Sequence, residues 1–321
     1  WPTETGTPHA GMGGRDFVGE MLAELRRLPL PAVAYYSVVF NNRAFLDQPE
    51  WRPVPVSEKA GDAAFADSRY GFCCPNNPGY RAFVAAQVRE LLGRYRFDGA
   101  FFDMTFWPVV CRCDACGGRF RRERGGAIPT VVDWLDPDWC AFADARQAWM
   151  EEFVAFLTET AKAASARITV YHNFATAPLN WRTGLDFSGA VHHDYLGADF
   201  YGDRLEQLVV SSLMDRLSRN RPVEFMTSCC VNLRDHARLK SEREMLTQAF
   251  AATLFSSAML FIDAINPDGT TTPGVFDRVG RVYARTAAYE PWLGGEPVED
   301  VAVCFSDASK MSFGENGLPV A

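Results

Sequence analysis

The chain has 321 residues, a net charge of −8 and 48% apolar residues, enough for a sizeable core in one large or two ordinary domains. That charge provides no basic stripe for nucleic acid or anionic lipid, and no apolar run approaches the roughly 20 residues needed to cross a bilayer. A neutral or cationic small ligand fits the composition better than nucleic acid or a membrane, and association with a second copy stays open.

Nine cysteines are an odd number for a disulfide framework. Their C-x-C-x-x-C clustering reads as metal ligation in a reducing compartment, so a cytoplasmic location is expected. A chain that opens on Trp1 is expected to continue upstream.

In chain order, an amphipathic helix is predicted from Asp16 to Arg27, with Phe17, Met21, Leu22 and Leu25 on one face, followed by a strand over Ala32–Phe40. A second helix, Tyr80 to Tyr95, aligns Val84, Val88, Leu91 and Leu92 and leads into the apolar run Gly99–Met104. The helix Ala141–Ala164 precedes a strand at Ile168–His172, and another strand follows at Tyr195–Tyr201. Helix Glu206–Ser218, strand Val223–Ser228, helix Ser241–Phe255 and strand Ala258–Ala264 complete the alternation.

Such an order argues for an α/β fold with a parallel sheet and helical crossovers. No G-x-G-x-x-G follows an early strand, which removes the phosphate loop of a dinucleotide-binding sheet. Polar residues collect instead after strand ends, at Asn41, Asp103, His172, Asn173, Asp199 and Asp263. That pattern suits the ring of loops on a (β/α)8 TIM-type barrel. Six strands leave two to precede Trp1, with Ala32–Phe40 and Ala258–Ala264 as open edges. Val301–Phe305 reads as a strand opening a C-terminal domain, so the expected division is a barrel over residues 1–296 and a second domain from 297 to 321.

The most informative stretch is Phe97 to Thr105, where an apolar run ends in Asp103 and Cys111, Cys113 and Cys116 follow at once. In barrel enzymes the carboxyl end of a strand faces the active site, which makes Asp103 the first catalytic candidate. Its plainer alternative is a helix cap or an ion pair. Acid/base chemistry with a carboxylate nucleophile needs a second carboxyl; Asp199 is the candidate, with Glu224 and Asp263 as alternatives. His172, Asn173, Tyr201, Glu224, Asp263 and Trp107 are candidate contacts to a hydroxyl-rich or ring-shaped substrate, by hydrogen bonding or ring stacking. His172 can equally be a satisfied core histidine, and Trp107 and Tyr201 ordinary loop packing. His192, His193, Asp235 and His236 carry less weight.

Tetrahedral zinc takes four soft ligands. Cys111, Cys113 and Cys116 supply three, and Cys74, or Cys73 as a substitute, can return to the same place. A filled four-thiolate site would be structural, and reduced thiols without metal are the alternative. Cys140, Cys229, Cys230 and Cys304 read as ordinary small residues.

The segment from Tyr80 to Asp103, with Gln87, Glu90, Leu91, Tyr95, Asp98, Gly99 and the Phe102-Asp103 pair, resembles the fourth-strand region of family-29 α-L-fucosidases. Arg15 to Glu20 before Ala34-Tyr35-Tyr36-Ser37 is similar to the helix and third strand of that barrel. Trp1-Pro2-Thr3, Thr7-Pro8-His9, Phe261-Ile262-Asp263 and Asn266-Pro267-Asp268-Gly269 resemble a related "hypothetical glycosyl hydrolase" group over nearly the whole chain. The resemblance implies a retaining exo-glycosidase with Asp103 as nucleophile and its acid/base near the sixth strand, at Asp199, acting on a glycoside or oligosaccharide.

Cys74-Pro75-Asn76 with Cys111, Cys113 and Cys116 also resembles the zinc site of family-42 β-galactosidases, which implies structural zinc and no organic cofactor. That family's two catalytic glutamates are absent, since Met104 and Thr105 stand at one position and Thr227 at the other. A non-catalytic carbohydrate-binding barrel, or a β-galactosidase-like hydrolase with relocated carboxylates, is the competing expectation.

Overall fold

A computed structural model describes residues 1–57, 70–232, 235–266, 268–295 and 298–320, without the side chains of residues 236 and 237. Two compact units are formed. The first holds Trp1–His172, Thr176–His192 and Ser306–Ala321, and the second holds Asn173–Ala175 and His193–Phe305.

In the first unit β1 (Val33–Ser37), β2 (Gly99–Asp103) and β3 (Thr169–His172) form a parallel sheet in that order. Strand residues alternate between faces, and the register makes each face an aromatic ladder. Tyr35, Phe101 and Tyr171 line one face, with Phe101 and Tyr171 stacked at 4.6 Å. Tyr36, Phe102 and His172 line the other. That second face meets the helices: Tyr36 donates to Gln87 on α3 (Pro78–Arg94), and His172 bonds Thr158 on α5 (Pro137–Ala164). All five residues of β2 are buried, as its nearly continuous apolar sequence demands.

Helix termini carry the expected signals. Asp16 caps α1 (Phe17–Leu25) by accepting from the Gly19 amide, and Asn77 caps α3 just before Pro78. The short α2 (Asn42–Asp47) and α4 (Asp114–Arg124) lie in segments where no helix is predicted. Residues near the chain end pack in this unit, where Val320 donates to Thr130 and Trp181 to Glu315.

The second unit contains a parallel sheet of β4 (Gly197–Asp199), β5 (Glu224–Ser228) and β8 (Ala258–Ile262). It also contains an unpredicted antiparallel hairpin of β6 (Cys230–Asn232) and β7 (Asp235–Leu239). Helices α6 (Arg204–Leu217), α7 (Glu242–Leu254) and α8 (Val275–Thr286) pack beside them. All six predicted strands are present. The expected strand at Val301–Phe305 is not: the segment has no strand structure, and Val301 and Val303 are exposed without a pairing neighbour among the described residues. Residue 297, where a domain boundary is expected, and Pro267 lie outside the described residues.

Thr3, Glu4 and Thr5 are tied down by one carboxylate. Glu90 on α3 accepts from the Thr3 hydroxyl, the Glu4 amide, and the Thr5 amide and hydroxyl. Burial would raise its pKa, but these donors outweigh it and hold it at about 2, below the usual 4.5. A depressed carboxylate stabilises the fold above its unfolded pKa and loses that contribution as pH falls through its folded pKa. Glu90→Gln should therefore lower the thermal midpoint above pH 4.5, with the difference from wild type shrinking to nothing toward pH 2. A difference that does not vary across that window would contradict the clasp.

Candidate functional site

Asp103 is the last residue of β2 and is buried at 7% exposure. Its alternation parity puts it on the face of Phe101 and Tyr35, opposite the helices. The Tyr35 hydroxyl donates to Asp103 Oδ2 at 2.5 Å, and the Met104 amide donates to Oδ1 at 2.8 Å. Both oxygens are thus oriented. No following helix is capped by Asp103, and Cys113 precedes the next one.

The backbone just beyond is unusual. Met104 has φ 65°, and Val39, just past β1, has φ 66°, a left-handed conformation that is rare for a β-branched side chain. Val39 is held there because its amide donates to the Tyr80 hydroxyl at 2.7 Å and its carbonyl accepts from Cys73 at 2.7 Å. Beside Tyr35 a cleft of about 820 Å³ opens, with Trp1, His9, Phe40, Trp51 and Tyr70 in its wall.

A second constellation forms in the other unit. Asp199 ends β4 and is half-buried. Asn173 Nδ2 donates to Asp199 Oδ1 at 2.5 Å, and the Tyr201 hydroxyl donates to Oδ2 at 2.5 Å. Asn173 Oδ1 accepts from the Ala175 amide at 3.0 Å, which fixes which end of the amide meets Asp199. Asp263 follows β8, beside Cys229, with Sγ to Oδ1 at 3.4 Å.

Three expected sugar contacts have the following surroundings. His172 is fully buried on the helix-facing side of β3, with Nε2 and Thr158 Oγ1 2.8 Å apart. Trp107, at 3% exposure, donates to the Arg146 carbonyl and packs against its guanidinium. Glu224 is the first residue of β5, paired with Gly197 and Ala258, at the amino end of the strand and four positions before Ser228. Of the weaker candidates, His192 faces Glu151 at 3.4 Å and His193 is buried edge-on to Phe174. The His236 side chain is outside the described residues. Tyr35 was not anticipated, although strand alternation beside Asp103 could have pointed to it.

The four predicted thiols do converge. Cys113 stands at the N-terminal boundary of α4, Cys116 lies in its first turn, and Cys111 bridges Pro55 in a short antiparallel pair. Cys74 brings its sulfur to 3.5 Å from Cys116 and 3.6 Å from Cys113, and the four Sγ atoms lie within 4.8 Å of one another. Cys73 stays outside the group. Amide donors point at sulfur: Val54 and Cys113 to Cys111 at 3.3 and 3.4 Å, and the Asn76 side chain to Cys116 at 3.4 Å. Bonds from Cys111, Cys116 and Cys74 hold the Cys113 thiol far below its usual range, whereas burial pushes Cys74 up.

Arg146 supplies the matching charge. It is 2% exposed, has no carboxylate partner among the described residues, and donates to the carbonyls of Arg182 at 2.7 Å and Trp181 at 3.4 Å. Burial pulls its pKa down to about 10, while Cys116 and Cys111 push it back up. A divalent ion with four thiolates is a dianion, and a buried cation beside it offsets part of the desolvation cost. The group can hold a metal ion.

No family model matches the chain, and no curated protein sequence does. Solved structures do match. α-L-Fucosidase isoenzyme 2 from Paenibacillus thiaminolyticus aligns over 91% of this chain and 42% of its own at TM-score 0.72 and 18% identity. A polyextremophilic β-galactosidase from the Antarctic haloarchaeon Halorubrum lacusprofundi aligns over 89% of this chain and 52% of its own, at TM-score 0.68 and 16% identity. The PgaB (BpsB) glycoside hydrolase domain from Bordetella bronchiseptica aligns over 91% of this chain and 97% of its own, at TM-score 0.58 and 11% identity. The chain thus spans 42% and 52% of the first two chains. These neighbours are TIM-barrel glycoside hydrolases, and this chain shares their α/β fold over the aligned residues; among the described residues no helix is long and apolar enough to cross a membrane.

Removing metal from the four-cysteine group should lower the thermal midpoint and speed thiol labelling at Cys74, Cys111, Cys113 and Cys116. Metal analysis of carefully purified protein that returns less than about half an equivalent would contradict a filled site.

Proposed function

We propose that this chain is a retaining, exo-acting glycoside hydrolase of α-L-fucosidase type. The observation that carries the reading is Asp103: a carboxylate at the carboxyl end of a fully buried parallel strand, with both oxygens oriented by Tyr35 and the Met104 amide. The fold shared with a fucosidase supports it. In this reading residues 1–296 carry the barrel and 297–321 begin a second domain.

Asp103 attacks the anomeric carbon, forming a glycosyl ester as the glycosidic C–O bond breaks. Asp199 gives its proton to the leaving oxygen, then takes one from the water that hydrolyses the ester. Asn173 and Tyr201 position Asp199, and Tyr35 positions Asp103. Zinc is the ion proposed for Cys74, Cys111, Cys113 and Cys116; it would fasten the loop after β2 to the segment before α3 and take no part in bond cleavage.

One observation favours the competing reading of a sugar-binding barrel. Thr227, where a family-42 nucleophile would stand, is 1% exposed and 3.3 Å from Lys240 Nζ. A panel of aryl glycosides, fucosides, galactosides and arabinosides first, separates the two. The wild-type protein should turn over at least one, and Asp103→Asn should fold normally yet lose several orders of magnitude in kcat, because an amide cannot form the ester. Turnover of none by the wild type favours the binding-only barrel, and near-normal turnover by Asp103→Asn removes the nucleophile assignment.

Tyr35→Phe should cost about tenfold, the scale of one hydrogen bond to a charged group. Asp199→Asn should slow substrates with poor leaving groups most, because activated aryl groups need little protonation. Equal losses on both kinds of substrate would assign the acid elsewhere.

A further inference from the structure

Cys229 and Cys230, expected to be ordinary small residues, lie at a break in strand alternation. The chain bends at Cys229 between β5 and β6, so two consecutive side chains that would point to opposite faces of a regular strand do not. The β5–β8 register, Ser228 against Ile262, sets the next pair of positions, 229 and 263, side by side. Cys229 is pinned at both backbone groups: its amide donates to Ile262 at 2.9 Å and its carbonyl accepts from Lys240 at 2.8 Å. As a result Cys229 Sγ, Cys230 Sγ and a carboxylate oxygen of Asp263 all lie within 4.8 Å of one another.

Hydrogen bonding alone does not satisfy this cluster. The single S–H of Cys229 meets two acceptors, the Ile262 carbonyl at 3.2 Å and Asp263 Oδ1 at 3.4 Å, and can serve one at a time. Asp263 Oδ2 is buried and has no hydrogen-bond partner among the described residues. A buried carboxylate oxygen without a partner is costly, and a bound cation is one group that offsets that cost. Behind the thiols lies an apolar cluster of Met245, Leu246, Ala249, Val275 and Val282, which keeps the dielectric low. Lys240 is buried nearby, with Nζ 3.3 Å from Thr227 Oγ1 and 3.4 Å from Gln248 Oε1.

We propose that Cys229, Cys230 and Asp263 form a second metal site, for a borderline-soft divalent cation of the zinc or cadmium class. On binding, both thiols release a proton to solvent and the ion forms two metal–sulfur bonds and one metal–oxygen bond. Two thiolates, a carboxylate, a divalent ion and the Lys240 ammonium sum to zero charge. Tetrahedral zinc thiolates stand about 3.8 Å apart, so a small contraction of the cluster closes the site. Two sulfurs and one oxygen select against magnesium and calcium, which take all-oxygen shells. Three protein ligands leave the fourth position for water or a hydroxyl-bearing ligand. A cleft of about 470 Å³, with Cys230, Ser228, Lys240 and Tyr201 in its wall, runs alongside. The proposal is independent of the hydrolase reading.

Cadmium NMR on the whole chain tests it. Cadmium-loaded wild type should give two resonances of equal intensity, one from four thiolates and one from two thiolates with oxygen. The Cys229→Ser, Cys230→Ser double variant should keep the first and lose the second, and Asp263→Asn, which preserves shape, should weaken the second by about tenfold or more. A single resonance in wild type, or both resonances surviving in the double variant, overturns the site. If the double variant does not fold, Asp263→Asn decides alone: unchanged second-site affinity overturns the proposal.

Discussion

Strand β2 is buried on both faces, and from that constraint the placement of nearly every candidate residue in the first unit follows. A strand with no solvent face has room for a polar side chain only where it ends, and alternation then decides which side that chain must take. Phe102 and His172 have the parity that meets helices; Phe101 and Asp103 have the parity that does not. The carboxylate is therefore directed to the side of Tyr35, whose hydroxyl meets it. Shifting the register by one residue would exchange the two sets and bury the carboxylate among helices.

The chain beyond β2 is held by a different force. Four cysteines, Arg146 and the rings of Trp107, Phe142 and Trp181 form a polar and aromatic cluster in which the cation has no carboxylate partner among the described residues. A divalent ion on four thiolates would set a net negative charge beside that cation, whereas four neutral thiols would leave it uncompensated in an apolar setting. The left-handed backbone at Val39 and Met104 lies at the two strand ends nearest this region in sequence. Strain of that kind persists where surrounding bonds overdetermine it, and the Tyr80 hydroxyl and Cys73 amide supply such bonds at Val39.

Much of this was legible in the sequence because apolar runs and helical periodicity are local. All six predicted strands are present, and the five predicted helices differ from expectation only at their ends, while α8 (Val275–Thr286) has no predicted counterpart. The cysteine set was legible because ligand spacing is a short-range code. What escaped was decided by partners far along the chain. The sequence Trp107-Pro108 gives no hint that Arg146 will cover the indole, and Val301–Phe305 has strand residues but no strand structure. His172 was ambiguous until register assigned its face. Cys229 and Cys230 were read as small core residues because the bend between β5 and β6 that groups them with Asp263 has no Gly or Pro to announce it.

The central claim is that the Asp103 carboxylate becomes covalently attached to substrate. It is tested most directly with the 2-deoxy-2-fluoro form of whichever aryl glycoside the protein cleaves fastest, followed by peptide mass mapping of the trapped protein. The account predicts one fluoroglycosyl group per chain, on the peptide containing Asp103 and on that residue. A label on any other carboxylate, or hydrolysis with no label accumulating, would contradict it.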